Sequence, residues 1–206
     1  MAAPIGPGEV DRHIGHIVAL RLRAVLLALA LALLSLSARA QVEIPTPPQA
    51  KAFSQEDHDW GVAPTSTPQG PPFGRPTPTS IPGARRIGTL ELKALLEANR
   101  QVVVIDVLDS KTRTTIAGAY WMPGAGDSRY FASEKNRFPA ALEKLVGGDK
   151  TRPVVFLCVS SQCWESYNAC LHAIEAGHSD VLWYRGGTSA WSAAGLQRAV
   201  PERVDW

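Results

Sequence analysis

The sequence predicts a parallel α/β domain with helices on both faces of the sheet, carried behind a signal peptide and a proline-rich arm. Three observations predict it. Two uninterrupted apolar runs, VVVIDV at 102–107 and VVFL at 154–157, have the pattern of strands buried on both faces. Strand-like and helix-like segments alternate from about residue 86 to the C-terminus. The N-terminus runs basic, then apolar, then small. With 206 residues there is room for one domain plus extensions. The 45% apolar and 19% charged content supports a real core. A net charge of +2 removes the electrostatic case for nucleic acid, which needs a clustered basic face. Three cysteines are too few for a disulfide scaffold, and without a C-x2-C pair no structural zinc site of the usual spacing is supported.

Residues 24–36, AVLLALALALLSL, form the apolar run; Arg21 and Arg23 precede it and Ala38-Arg39-Ala40 follows. That is a cleavable export signal, with cleavage expected after Ala40. As a helix the run rises only about 20 Å, short of the roughly 30 Å hydrocarbon core, so no membrane association is expected after cleavage. The n-region is long and contains Glu9 and Asp11, as it would if the true start lay nearer Val18. Loss of residues 1–40 removes four basic and two acidic residues, leaving a formally neutral chain in an oxidising, periplasmic space.

Three regions follow: signal peptide 1–40, arm or linker 41–85, and domain 86–206. Residues 41–83 hold ten prolines, which remove ladder donors and favour extended backbone. The segment is therefore disordered, or lies on a surface anchored by Trp60 or Phe73. In the domain, Thr89 is the expected cap of a helix striped by Leu92, Leu95 and Leu96. GAYWMPGAG at 118–126 reads as a short strand entering a glycine loop. Pro139 is expected to open a helix that Gly147-Gly148 stops. After VVFL comes a helix with Tyr167, Cys170, Leu171 and Ile174 on one buried face and Gly177 at its end. VLWY at 181–184 is the next strand, and Thr188 the expected cap of a last short helix.

In a parallel sheet, ligands gather beyond the carboxyl ends of the strands. Cys158 stands there, followed by Val159, Ser160, Ser161, Gln162 and Cys163 and then a helix. A loop of this length can turn several backbone N–H groups inward, and the helix adds its positive end; both stabilise a thiolate, a persulfide or an oxyanion.

The order of VVVIDV, TIAGAYWMPGAG, VVFLC with its loop, and LWYRGGTSAWSAAGL resembles a rhodanese-like (sulfurtransferase-type) domain. PTPTSIPGA at 76–84, the glycine loop and the Cys163-Trp164 loop end further resemble an exported branch. These are the CXXCW-motif proteins associated with pyrroloquinoline quinone (PQQ)-dependent catabolism. The resemblance implies Cys158 as the catalytic cysteine and 158–163 as the active-site loop. It implies persulfide or thiol–disulfide chemistry on a small sulfur anion or thiol. It also implies a periplasmic PQQ-dependent dehydrogenase or cytochrome c as partner, with no resident cofactor or metal. The sequence departs from the pattern in two places. Four residues, not two, separate Cys158 from Cys163, and Cys163 stands where many rhodaneses carry a polar or basic residue that helps hold the donor. The latter weakens simple thiosulfate sulfurtransfer. Trp164, where related phosphatases carry arginine, argues against phosphoester chemistry.

Cys163 is either the resolving partner of Cys158 or a half-buried loop residue. Trp164 either walls the pocket, faces a partner or packs in the core. Asp106 reads as a hydrogen-bonding anchor or a supporting catalytic group, and Cys170 as a buried, inert thiol. His172 is expected to face solvent, and a metal role for it with His178 is the weaker reading. Non-catalytic binding or maturation of a periplasmic quinoprotein, and plain thiosulfate sulfurtransfer, are the alternative functions.

Overall fold

The computed structural model describes residues 55–98, 101–129 and 136–206. The expected signal segment 1–40, its cleavage point and arm residues 41–54 lie outside the described residues. Six strands make one parallel sheet: β1 (Arg85–Ile87), β2 (Val103–Asp106), β4 (Tyr120–Trp121), β5 (Val154–Leu157), β6 (Val181–Tyr184) and β8 (Glu202–Arg203). Their order across the sheet is β1-β6-β5-β2-β4-β8. β3 (Thr115–Ile116) and β7 (Arg198–Ala199) pair antiparallel beside it. The helices are α1 (Thr89–Glu97), α2 (Arg137–Val146), α3 (Trp164–Glu175) and α4 (Gly187–Ala193).

The central strands are apolar on both faces because both faces are covered. Val103, Ile105, Val154, Phe156, Val181 and Trp183 point into a core shared with α2 and α3. Val104, Val155, Leu157, Leu182 and Tyr184 point into a second core with Leu92 of α1 and Ala190 and Trp191 of α4. This period of two, with hydrophobic residues on either side, is what the uninterrupted runs encoded. β5 sits mid-sheet between β2 and β6, so the residue after it emerges at the centre of the carboxyl edge.

Three helix starts differ from expectation: α2 opens at Arg137, two residues before Pro139, and two others differ in their caps. Gly88, not Thr89, caps α1. Thr89 is instead drawn to the arm: its N–H lies 3.1 Å from each carboxylate oxygen of Glu56, and its hydroxyl meets Glu56 and the Tyr184 hydroxyl. Gly186 caps α4, with Thr188 inside the first turn. Among the described residues, no helix is long and apolar enough to cross a membrane.

Arm residues Thr65, Gln69, Phe73 and Pro76 hydrogen-bond to α3. The Thr65 N–H donates to the Tyr167 hydroxyl (2.9 Å), which donates back to the Thr65 carbonyl (2.8 Å). Gln69 and Asn168 exchange a similar pair. Phe73 packs on the core beside Val62, while Trp60 is half-buried with its ring 4.2 Å from His58. α3 is thus enclosed by the sheet, the arm and the glycine loop. His172 is buried rather than solvent-facing, 6.0 Å from the Phe138 ring of α2, and burial pushes its pKa down to about 4. The four-residue apolar stripe of Tyr167, Cys170, Leu171 and Ile174 marks one buried face, but it says nothing of what covers the other.

The glycine loop meets α3 backbone to backbone. A Cβ on Gly126 would lie 1.8 Å from the Glu165 carbonyl oxygen. Gly126→Ala is therefore expected to lower stability by about 3 kcal/mol or more, since neither backbone can yield as a side chain would. Denaturant unfolding checks this; a change within about 0.5 kcal/mol would mean that the approach is not tight in solution.

Candidate active site

Cys158 directly follows β5, and Cys163 is the residue capping α3. The six residues between strand and helix curl until the two Cα atoms stand 6.2 Å apart, and the sulfurs are joined as a disulfide. Cys163 is thus bonded to Cys158. Both residues are buried, 1% and 3% exposed, while Val159 and Gln162 between them are exposed.

The loop is held from outside by its carbonyls. The Cys158 carbonyl accepts from the Thr188 N–H (3.1 Å), and the Val159 carbonyl from the Ser189 N–H (2.9 Å). The Ser161 carbonyl accepts both the N–H (3.2 Å) and the hydroxyl (2.7 Å) of Thr77. Gly187, at φ 60°, makes the first clasp possible, because a Cβ there would sit 2.6 Å from the Cys158 carbonyl oxygen. Across a trans peptide the N–H points away from the preceding carbonyl, so the amides of Val159 and Ser160 face away from α4. Among the described residues they have no acceptor. The Gln162 N–H is taken by the Ser160 hydroxyl at 3.2 Å.

Asp106, at the end of β2, is an anchor. One of its oxygens accepts from the Leu108 N–H (3.1 Å) and the other from Arg113, whose guanidinium approaches to 2.6 Å in a buried ion pair. Arg113 also donates to the Thr188 hydroxyl at 3.3 Å and reaches the Cys158 carbonyl at 3.5 Å. Asp106 therefore acts on the loop through Arg113 and touches neither sulfur. Burial raises its pKa, against the pull of the guanidinium.

Trp164 neither lines an open pocket nor faces a partner. It is 2% exposed, its indole N–H donates to the Pro76 carbonyl (2.9 Å), and the Arg75 guanidinium stacks 4.6 Å from its ring. The arm covers it. Cys170 is fully buried on α3, its thiol 3.9 Å from the Leu182 carbonyl, and burial pushes its pKa well up.

Glu165, unremarked in the sequence reading, is the group nearest the chemistry. Its Oε2 lies 3.7 Å from the Cys158 sulfur and 3.6 Å from the Cys163 sulfur. Its Oε1 accepts the Asp109 N–H at 3.1 Å. Burial pushes its pKa up to about 7; the Asp109 N–H opposes this, while the charges of Asp109, Asp106 and Asp127 add to it. An acidic residue two positions past Cys163 was a visible signal. Arg113, 45 residues from Cys158, left none. The donor atoms of Cys158, Cys163 and Glu165 lie within 4.8 Å of one another. The two sulfurs are bonded to each other, so the arrangement is a disulfide facing a carboxyl.

The site is thus a cysteine-headed loop that joins the central strand of a parallel α/β sheet to the helix it caps. The chain belongs to the rhodanese-like domain family, which it matches over residues 88–194. It is similar to a sulfurtransferase of Allochromatium vinosum, 42% identical over 53 residues, 26% of this chain and 48% of that protein. The match thus spans about half the length of that curated relative. Among solved structures it is similar to a thiosulfate sulfurtransferase from Pseudomonas aeruginosa, with 22% identity, 60% of this chain and 22% of that one covered, and a TM-score of 0.46. It is also similar to a polysulfide-sulfur transferase homodimer from Wolinella succinogenes, with 20% identity, 57% and 79% covered, and a TM-score of 0.41.

The shifted groups oppose one another in stability. Glu165 has a folded pKa above its unfolded value, so the native state holds an extra proton between about pH 4.5 and 7, and stability falls as pH rises through that window. His172 has a lowered folded pKa, so its contribution rises between about pH 4 and 6.5. Glu165→Gln isolates the first effect. The unfolding free energy of wild type minus variant is expected to decline by about 3 kcal/mol from pH 4.5 to 7. Urea unfolding at each pH reads it, and a constant difference would show that Glu165 titrates like an exposed carboxyl.

Proposed function

We propose that this rhodanese-like protein works in the periplasm, in PQQ-dependent alcohol catabolism, through persulfide or thiol–disulfide chemistry at Cys158. The observation that carries the chemistry is the Cys158–Cys163 bridge at the carboxyl end of β5. The export pattern at 24–40 supports the location, and the CXXCW-like loop end supports the catabolic setting. The partner is a periplasmic quinoprotein dehydrogenase or its cytochrome c.

While the bridge is closed neither sulfur is a nucleophile, so a dithiol must first reduce it, leaving as its own disulfide and freeing both cysteine thiols. The freed Cys158 thiolate then attacks the outer sulfur of a sulfane donor such as thiosulfate. A sulfur–sulfur bond forms, the donor's own breaks, and sulfite leaves, with Cys158 carrying the persulfide. In this reading the amides of Val159 and Ser160 and the start of α3 hold that anion. Cys163 then attacks the Cys158 sulfur, the outer sulfur departs as sulfide, and the bridge closes. Ser161 and Gln162 shape the loop through the Thr77 and Ser160 contacts.

Protein purified from periplasm is expected to show one reactive thiol after denaturation, that of Cys170, and three after reduction; intact mass with alkylation counts them. A Cys158→Ser strain is expected to lose growth on alcohol. Growth equal to wild type would exclude the thiol chemistry and leave a non-catalytic binding or maturation role. Absence of thiocyanate formation from thiosulfate and cyanide by the reduced protein would eliminate plain sulfurtransfer.

A further inference from the structure

Glu165 meets both sulfurs with one oxygen, and that geometry has a chemical meaning. A disulfide sulfur carries no hydrogen, so it can only accept. A carboxylate oxygen can only accept as well. An ionised Glu165 would therefore set lone pairs against lone pairs at 3.6 and 3.7 Å. The contact is attractive only if Oε2 carries the proton and donates it. Oε1 is already committed as an acceptor from the Asp109 N–H, which leaves Oε2 as the protonated oxygen.

The surroundings favour the neutral form. Asp106 faces the carboxyl from the end of β2 but is paired with Arg113. Asp127 faces it from the glycine loop and is paired with Arg129. Asp109 lies across from it and offers its amide. None of these places a free cation against Glu165, and burial pushes its pKa up to about 7. A carboxyl so placed is poised both to give and to take a proton near neutral pH.

We infer that Glu165 is the proton-transfer residue of the Cys158–Cys163 couple, delivering its proton to whichever sulfur leaves when a dithiol opens the bridge. This rests on the thiol–disulfide reading above and assigns its missing acid. In the step, one thiolate of the dithiol attacks one sulfur of the bridge. A mixed disulfide forms, the Cys158–Cys163 bond breaks, and its electron pair stays on the departing sulfur. Oε2, equally near both, protonates it and becomes carboxylate. The second thiolate of the dithiol attacks its own partner sulfur in the mixed disulfide, forming the oxidised dithiol and expelling the remaining protein thiolate. Glu165, reprotonated from solvent, protonates that sulfur too. The protein gains two electrons and two protons, and the dithiol loses the same. In the reverse direction the carboxylate takes the proton from the attacking thiol.

Dithiothreitol tests this on the oxidised full-length protein. The reaction is quenched by acid and alkylation, thiols are counted by intact mass, and rates are expressed per reductant thiolate. Acid assistance is present while Glu165 is protonated and is lost as pH rises. The wild-type constant is therefore expected to fall at least about ten-fold across an inflection near pH 7. In Glu165→Gln, whose thermal midpoint is measured alongside, the profile is expected to be flat, at the level wild type reaches at high pH. A flat wild-type profile overturns the inference whatever the variant does, and so does a variant that retains the wild-type inflection. If the wild-type protein instead shows three reactive thiols before any reduction, the disulfide reading fails and takes this inference with it. A bridge that reduces without the inflection sinks only the role of Glu165.

Discussion

The loop between β5 and α3 has six residues in which to leave a strand buried on both faces and enter a helix buried on nearly all sides. That constraint is met by fixing its carbonyls. Thr188 and Ser189 at the start of α4 take those of Cys158 and Val159, and Thr77 of the arm takes that of Ser161. With the carbonyls turned outward, the amides are left on the inner side and the two cysteines come within bridging distance. The arm is therefore part of the site's construction. Without Thr77 and the Pro76 carbonyl, both Ser161 and Trp164 would lose the partners that hold the loop's second half.

Electrostatics around the bridge run against intuition. The start of a helix ordinarily stabilises a negative charge, yet Glu165 in the first turn of α3 is pushed toward neutrality. Burial strips its carboxyl of water, and three aspartates stand near it. Asp106 escapes the same fate only in part, through Arg113. Two carboxyls a few ångströms from one loop thus play different parts, one an ionic strut and the other a proton reservoir, because one has a guanidinium and the other has sulfur.

Much of this was legible in the chain. VVVIDV and VVFL announced doubly covered strands, α3 followed its apolar stripe and its glycine stop at Gly177, and the last short helix followed its stop at Gly195. The position of Cys158 followed from strand, loop and helix alone. Other features depended on contacts between distant segments, which no local pattern carries. Trp164 is covered by residues about ninety positions earlier, and His172 is buried because the sheet is not the only wall of α3. Thr89 and Thr188 had the chemistry of caps but were drawn to Glu56, Tyr184 and Arg113 instead. Glu165 was readable in principle, standing two places beyond Cys163. Its significance needed the turn that folds its side chain back beneath the sulfurs.

The third cysteine adds a point about fidelity. Scrambling needs an attacking thiolate, and Cys170 is sealed in the core with its proton held firmly, its S–H aimed at a strand carbonyl. Once α3 has docked, that sulfur is kinetically insulated from its neighbours. Under the thiol–disulfide chemistry proposed above, the pair would open and close without drifting into a mispaired isomer, although the chain carries an odd number of cysteines.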